Sequence, residues 1–255
     1  GNEEARVIYC GHSGWTVLTK NHVLVFDYWE PGTSSAKGLA GGTINPGELK
    51  DKNVIVFVSH DHSDHYDDVI YGWGNEIKNI QYVYGFKAET SWVHESDGYQ
   101  GPAYTFIPNN EQRELNGVKV TTFPSTDSGQ GFYVEADGIT IYHPGDHAWF
   151  ADIDEAPFKK EVDFVASLGA SPDIAFLPVT GCPSRWEKAF IQEGFLYSID
   201  KLNPAKVSPM HALNREYEMK EFAELAAGRK FQNQIICADN AGDQFNHEKS
   251  TIAVK

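Results

Sequence analysis

The chain is predicted to be an α/β protein in which two β-sheets share a core and helices cover their outer faces, organised as one domain over residues 1–255. Three observations lead there. The first half is dense in short alternating apolar segments, the second half interleaves such segments with helical ones, and neither a linker-like stretch nor an internal repeat separates the halves. With 255 residues, 41% hydrophobic and 22% charged, the chain is long enough to bury a substantial core and lacks the composition of a disordered segment.

Residues 6–10, 15–19 and 22–26 alternate in the manner of strands, with Thr19-Lys20-Asn21-His22 as a hairpin-like turn, so the chain opens as a β-meander. Residues 30–46 collect glycines in Pro31-Gly32-Thr33-Ser34-Ser35 and Gly41-Gly42-Thr43 and read as a long surface loop. The apolar run 53–59 is a buried strand. Further strands are expected at 80–84, 118–123, 131–135 and 139–142, the last two joined by a turn at Ala136-Asp137-Gly138. A helix at 156–168, a strand at 174–178, a helix at 185–202, a strand at 206–208 and a helix at 215–227 complete the pattern.

The net charge of −15 repels phosphate backbones and anionic lipid surfaces, which argues against long nucleic acid or a membrane as partner. A bound cation could still draw an anionic small molecule to one spot. No apolar run approaches the roughly 18 residues of a membrane span, so a soluble protein is expected. Cys10, Cys182 and Cys237 form no CxxC pair and outline neither a disulfide framework nor a thiolate zinc site. Gly1 in place of Met reads as the remnant of a processed tag, which leaves the compartment open between cytoplasm and export.

The chemistry centres on His60-Asp61-His62-Ser63-Asp64-His65, directly after the apolar strand. Side chains alternate along extended chain, so His60 and His62 point to one side and can share a metal. Asp64 and His65 lie past a turn, where they can reach a second ion. Two cations about 3.5–4 Å apart can bridge and polarise a water. So many imidazoles and carboxylates at the end of an apolar strand would be electrostatically awkward without a cation, which sets this reading above that of a merely polar turn.

The run resembles the HxHxDH signature of the metallo-β-lactamase superfamily, and other segments follow in that family's order. Gly11-His12-Ser13 and Leu24-Val25-Phe26-Asp27 resemble the start of the ascorbate-phosphate lactonase-like branch, while Ile141-Tyr142-His143-Pro144-Gly145-Asp146 and Ser208-Pro209-Met210-His211 resemble its later motifs. The resemblance implies a four-layer αββα sandwich. It also implies His60 and His62 on a first metal, Asp64, His65 and His211 on a second, Asp146 bridging the two, and Asp27 orienting ligands from behind. Taken alone, Asp146 also fits a turn after a strand, and His211 a buried or capping histidine.

One departure stands out. The family supplies a third histidine to the first metal, but 120–129, Val-Thr-Thr-Phe-Pro-Ser-Thr-Asp-Ser-Gly, has none. Asp127 is the best substitute, because a carboxylate binds metal better than the hydroxyls of Ser125 or Thr126, although an Asx role beside Ser128-Gly129 is the alternative. A carboxylate there favours harder ions. Two divalent ions are implied, Zn²⁺ by default, with Mn²⁺ or Fe and a partly filled first site as alternatives. His12 and His147 are candidates for lining the pocket or orienting its ligands, equally readable as structural histidines. His22, His94 and His247 have no motif around them and read as surface residues.

The expected reaction is hydrolysis of an ester, lactone or phosphodiester of a small molecule by water activated to hydroxide on the metals, with Asp64 as the catalytic carboxylate that orients it. Trp29, Tyr66, Tyr71, Trp73, Trp92, Trp149, Phe150 and Trp186 could wall an apolar pocket or simply pack loops. Two other classes of function fit the same fold: a di-iron redox or sensor protein, and a metal-binding member without turnover.

Overall fold

In a computed structural model, residues 3–30, 38–181, 188–226 and 234–249 are described; Cys182, Trp186 and the Pro31–Ser35 stretch fall outside them. The first half forms β1 (Glu4–Gly11), β2 (Gly14–Leu18), β3 (His22–Phe26), the one-turn helix α1 (Pro46–Leu49), β4 (Asn53–Val58) and β5 (Asn79–Tyr84). Then come β6 (Gln112–Leu115), β7 (Val118–Pro124), β8 (Gln130–Ala136), β9 (Ile139–His143), α2 (Glu155–Ser167), β10 (Ile174–Pro178), α3 (Lys188–Leu202), β11 (Lys206–Met210), α4 (Tyr217–Leu225) and β12 (Gln244–Glu248). Two six-stranded sheets result, in the orders β12-β1-β2-β3-β4-β5 and β11-β10-β9-β8-β7-β6.

Strand alternation divides the central strands between two cores. Leu24 and Phe26 of β3 and Ile55 and Phe57 of β4 point between the sheets, where they meet Phe132, Ile141 and Phe176. Val23, Val25, Val54, Val56 and Val58 point outward onto Leu49, Ile70 and Trp73. Both faces being covered, β3 and β4 are apolar at nearly every position, as buried parallel strands require. The outer layer on this sheet is built of short elements, among them α1 and a 3-10 helix at Asp68–Asn75, with Phe86, Ala88, Val93, Tyr99 and Tyr104 packed beside them. The other sheet carries longer helices, with Phe158, Val162 and Val165 of α2 and Phe195, Ile199 and Leu202 of α3 in its core. Asp154 starts α2 by accepting the Ala156 N–H at 2.8 Å.

Four expectations need correction. Strands β6 and β12 have no counterpart in the sequence reading; both are sheet edges with polar, largely exposed residues, so they carry little hydrophobic periodicity. Strand β11 runs on to Met210 because it pairs in parallel with β10 along its whole length. His22 and His247 are buried rather than on the surface, paired with Asp137 at 3.0 Å and Asp173 at 3.4 Å, and His94 is half-buried against the Tyr66 hydroxyl at 2.9 Å. Residues 41–44 of the glycine-rich loop are likewise buried. Those Asp–His pairs lie far from the motif residues: Asp137 also binds Thr19 Oγ1 at 2.6 Å, tying the β2–β3 turn to the β8–β9 turn of the other sheet.

Candidate metal centre

The histidine run leaves the carboxyl end of β4, beside the parallel end of β3, and Asp27 is the first residue past β3. Asp27 adopts φ 42°, and its N–H binds Phe57 O at 2.9 Å, which turns its side chain under the run. Its Oδ1 accepts the Ser59 N–H at 2.7 Å, and its Oδ2 accepts the Ser59 hydroxyl at 2.6 Å and His65 Nδ1–H at 2.8 Å. With its proton given to Asp27, Ser59 Oγ accepts His60 Nδ1–H at 2.8 Å. Both imidazoles are thereby held through Nδ1, with Nε2 facing the interior of the cluster. Burial alone would raise the Asp27 pKa, but His143 and His65 pull it below the ordinary carboxylate value.

His62 returns to the same side as His60, and its Nδ1 lies 3.0 Å from His60 Nε2. Asp127 closes this corner, with Oδ2 at 3.4 Å from His62 Nδ1. The loop carrying it is braced at several points. Ser125 N–H binds Gly129 O at 3.1 Å, Ser125 Oγ accepts the Asp127 N–H at 3.2 Å, and Gln130 N–H binds Ser59 O at 3.0 Å. Gly129, at φ 64°, packs so closely that a Cβ there would overlap the Ser59 carbonyl oxygen.

Asp146 follows β9 and reaches the middle of the cluster. Its Oδ2 lies 3.5 Å from His60 Nε2 and 3.3 Å from His211 Nε2, and its Oδ1 lies 3.2 Å from His65 Nε2. His211, at the end of β11, directs Nδ1–H to Thr180 O at 3.1 Å, so its Nε2 too is oriented inward. Asp64 completes this side, with Oδ2 at 3.5 Å from His65 Nε2 and 3.6 Å from His211 Nε2. His12, from the β1–β2 turn, meets the same Oδ2 at 2.7 Å.

Among the described residues the donors include two sets of four, His60, His62, Asp127 and Asp146, and His12, Asp64, His65 and His211, besides the triplet of Asp27, His60 and His65; within each set the ligating atoms lie within 4.8 Å of one another. Imidazole nitrogens and carboxylate oxygens at such spacing suit divalent cations. Among the described residues, His65 Nε2 and Asp146 Oδ1 are buried and face each other at 3.2 Å without a well-formed hydrogen bond, a geometry that leaves both atoms free to share a cation. The charges agree. Burial would lower the His65 pKa, yet Asp146, Asp27 and Asp64 hold it well above the usual imidazole range. Asp146 and Asp64 are held well below the carboxylate range against their burial, Asp146 by His211 and His65, Asp64 by His12 and His65. Burial and the neighbouring His211 push His12 down to about 4.

Of the residues singled out in the sequence, His60, His62, Asp64, His65, Asp127, Asp146, His211 and His12 converge here, and Asp27 lies directly behind them. His147 does not. Its Nε2 donates to Phe158 O at 3.0 Å and its Nδ1 accepts the Thr126 N–H at 3.1 Å, so it reaches the cluster only through the loop of Asp127. Asp61 points away and accepts the Ser91 hydroxyl at 2.5 Å. Ser59 and Thr180 escaped sequence reasoning, since a hydroxyl or carbonyl that fixes a tautomer has no motif of its own. Among the aromatics, Trp73 and Phe150 are core, Tyr66 and Tyr71 hydrogen-bond each other in the outer cluster, and Trp29 lies 6.0 Å from the His12 ring.

Residues 6–211 match the profile of the Beta-lactamase superfamily domain. A "UPF0173 metal-dependent hydrolase" from Thermoplasma acidophilum is 27% identical over 225 residues, covering 82% of this chain and 84% of its own. Among solved structures, Igni18, described as a novel metallo hydrolase from Ignicoccus hospitalis, superposes with a TM-score of 0.68 at 20% identity, covering 97% of this chain and all (100%) of that one. CmlA from Streptomyces venezuelae, described as a diiron β-hydroxylase, superposes with a TM-score of 0.62 at 12% identity over 97% of this chain and 54% of its own. The two-sheet sandwich expected from the motif order is thus the one found, and the chain belongs to the β-lactamase superfamily domain family.

Proposed function

We propose that this chain is a single-domain, metal-dependent hydrolase of small molecules whose centre holds two divalent ions. The observation that carries the reading is Asp146: one buried carboxylate of the first donor set also faces His65 and His211 of the second, with His60, His65 and His211 at 3.2–3.5 Å. The name of the Thermoplasma relative and the description of Igni18 support it. His60, His62, Asp127 and Asp146 would hold the first ion, and Asp64, His65, His211 and Asp146 the second. When bound, such a pair lowers the pKa of a shared water towards about 7 and neutralises negative charge that develops on the substrate.

The chain's own residues set the conditions for that chemistry. Asp27, Ser59 and Thr180 hold the Nδ1 side of His65, His60 and His211, so that each ring turns its Nε2 into the cluster without reorganisation. Asp64 is the least buried of the central carboxylates, with 27% of its side chain exposed against 10% for Asp127 and 3% for Asp146. Held ionised by His12 and His65, it is suited to accept a hydrogen bond and orient the attacking water rather than to store a proton. The substrate class that fits is an ester, lactone or phosphodiester of a small molecule. Zn²⁺ is the default ion, and Asp127 makes Mn²⁺ or Fe competitive at the first site.

The test is metal analysis of protein purified without added metal, followed by turnover of ester, lactone and phosphodiester substrates with Zn²⁺ or Mn²⁺. Turnover that Asp146→Asn abolishes supports the reading; fewer than one ion per chain and no turnover with any metal overturns it.

A second reading has one observation in its favour. His60, His62 and Asp127 make a two-histidine, one-carboxylate set, a pattern that suits non-haem iron, and the CmlA likeness shows that this fold can be that of a diiron enzyme. Iron as the native metal, with a visible absorption band, would favour redox chemistry over hydrolysis.

A further inference from the structure

His12 stands apart from the other donors because of what holds it. It follows Gly11, at φ 97°, and itself adopts φ 55°, a left-handed conformation uncommon outside glycine, so the β1–β2 turn throws its ring into the cluster. The ring is buried and lies 4.1 Å from the His211 ring. Its two nitrogens do different work. Nδ1 accepts the Leu213 N–H at 3.3 Å, so the ring proton resides on Nε2 and is given to Asp64 Oδ2 at 2.7 Å. The backbone joins in, since His12 O accepts the His211 N–H at 3.1 Å.

That bonding decides between two roles. To ligate through Nε2, His12 would need its proton on Nδ1, which would turn an N–H against the Leu213 N–H and leave that donor unpaired. Ligation by Asp64, His65 and His211 demands no such change. We propose that His12 is a positioning residue for the second metal: its Nε2–H fixes the Asp64 carboxylate, while its Nδ1 and carbonyl fix the loop of His211 at the matching height. It thus brackets ligands from two distant strand ends, and its strained turn gains a function. This rests on the two-ion reading above.

Two substitutions separate the roles. Asn in the left-handed region is tolerated, and its short amide can keep the bond to the Leu213 N–H while falling short of Asp64; Gln reaches as far as Nε2 and keeps a donor to Asp64. Metal-free protein is dialysed against graded Zn²⁺, and bound zinc is counted by mass spectrometry, with thermal unfolding of the metal-free form in parallel. His12→Asn is expected to unfold as the wild type does and to bind one of two ions roughly tenfold to a hundredfold more weakly, the other unchanged, with His12→Gln recovering most of the loss. Wild-type affinity for both ions in His12→Asn overturns the proposal. So does equal and complete loss of one ion in both variants, which would make His12 a ligand, and so does an unfolded metal-free His12→Asn, which would make it a fold residue. A wild-type chain that takes up no ion overturns the two-ion reading as well, whereas these three results leave it standing.

Discussion

The Nδ1 of His62 and the carboxylate Oδ2 of Asp127 face each other across 3.4 Å, bringing the end of β4 and the loop after β7 to one point. Asp127→Ala is therefore expected to weaken the first ion by tenfold or more while sparing the second. Asp127→His is expected to keep both and shift selectivity towards Zn²⁺ over Mn²⁺, because imidazole is the softer donor. Competitive loading with equal Zn²⁺ and Mn²⁺ reads this directly; unchanged stoichiometry in Asp127→Ala would remove Asp127 from the ligand set.

Asp27 supports two of the proposed ligands at once, His65 directly and His60 through Ser59. Asp27→Asn replaces an acceptor by a group that must turn a donor towards one of them. The expected cost is about 3 kcal/mol in urea unfolding and roughly a tenfold to hundredfold loss in metal affinity. If stability falls but affinity does not, Asp27 braces the fold alone.

Gly129 permits the approach of the Asp127 loop to Ser59 and His60. Gly129→Ala adds both a positive-φ penalty and an overlap, for an expected loss of about 2–3 kcal/mol. The first ion should weaken with it. Alanine accepted at wild-type stability would contradict the close packing described for that loop.

Metal removal should destabilise the chain, because on the two-ion proposal the ions bind the assembled cluster and not the unfolded chain. With Zn²⁺ at about a hundred times its Kd, linkage contributes about 2.7 kcal/mol, or roughly 5–10 °C in Tm. A chelator should reverse the shift. A Tm indifferent to Zn²⁺ and to chelator would count against a preformed centre.

At Asp173, burial raises the pKa, but His247, Thr140 and Lys249 together lower it to about 2. A depressed carboxylate pKa stabilises the fold above the unfolded value of about 3.9, and that contribution is lost as pH falls from there to about 2. Allowing for solvent screening, Asp173→Asn should cost about 1–2 kcal/mol near pH 7 and almost nothing near pH 2. Urea midpoints across that range test it; a difference independent of pH would assign the effect to packing.

Much of this was legible in advance wherever the pattern was local. The run of apolar residues in Val23 to Phe26 and Val54 to Val58 marks strands with two covered faces, and Asp27 and His60 follow at their carboxyl ends. Strands β6 and β12 were not legible, because an edge strand is defined by its neighbour and not by its own side chains. His22 and His247 read as surface residues for the same reason: their partners, Asp137 and Asp173, arrive from far along the chain.

The sequence alone determined the types of candidate donor, the i and i+2 placement of His60 and His62, and the absence of a third histidine between 120 and 129, since composition and strand period are local properties. Only the tertiary structure decided which lone pairs face inward, that Asp127 joins His62, that His147 turns away, and that His12 meets Asp64. Those outcomes depend on hydrogen bonds from Asp27, Ser59, Thr180 and Leu213, which reach the cluster only when the strand ends of both sheets are brought side by side.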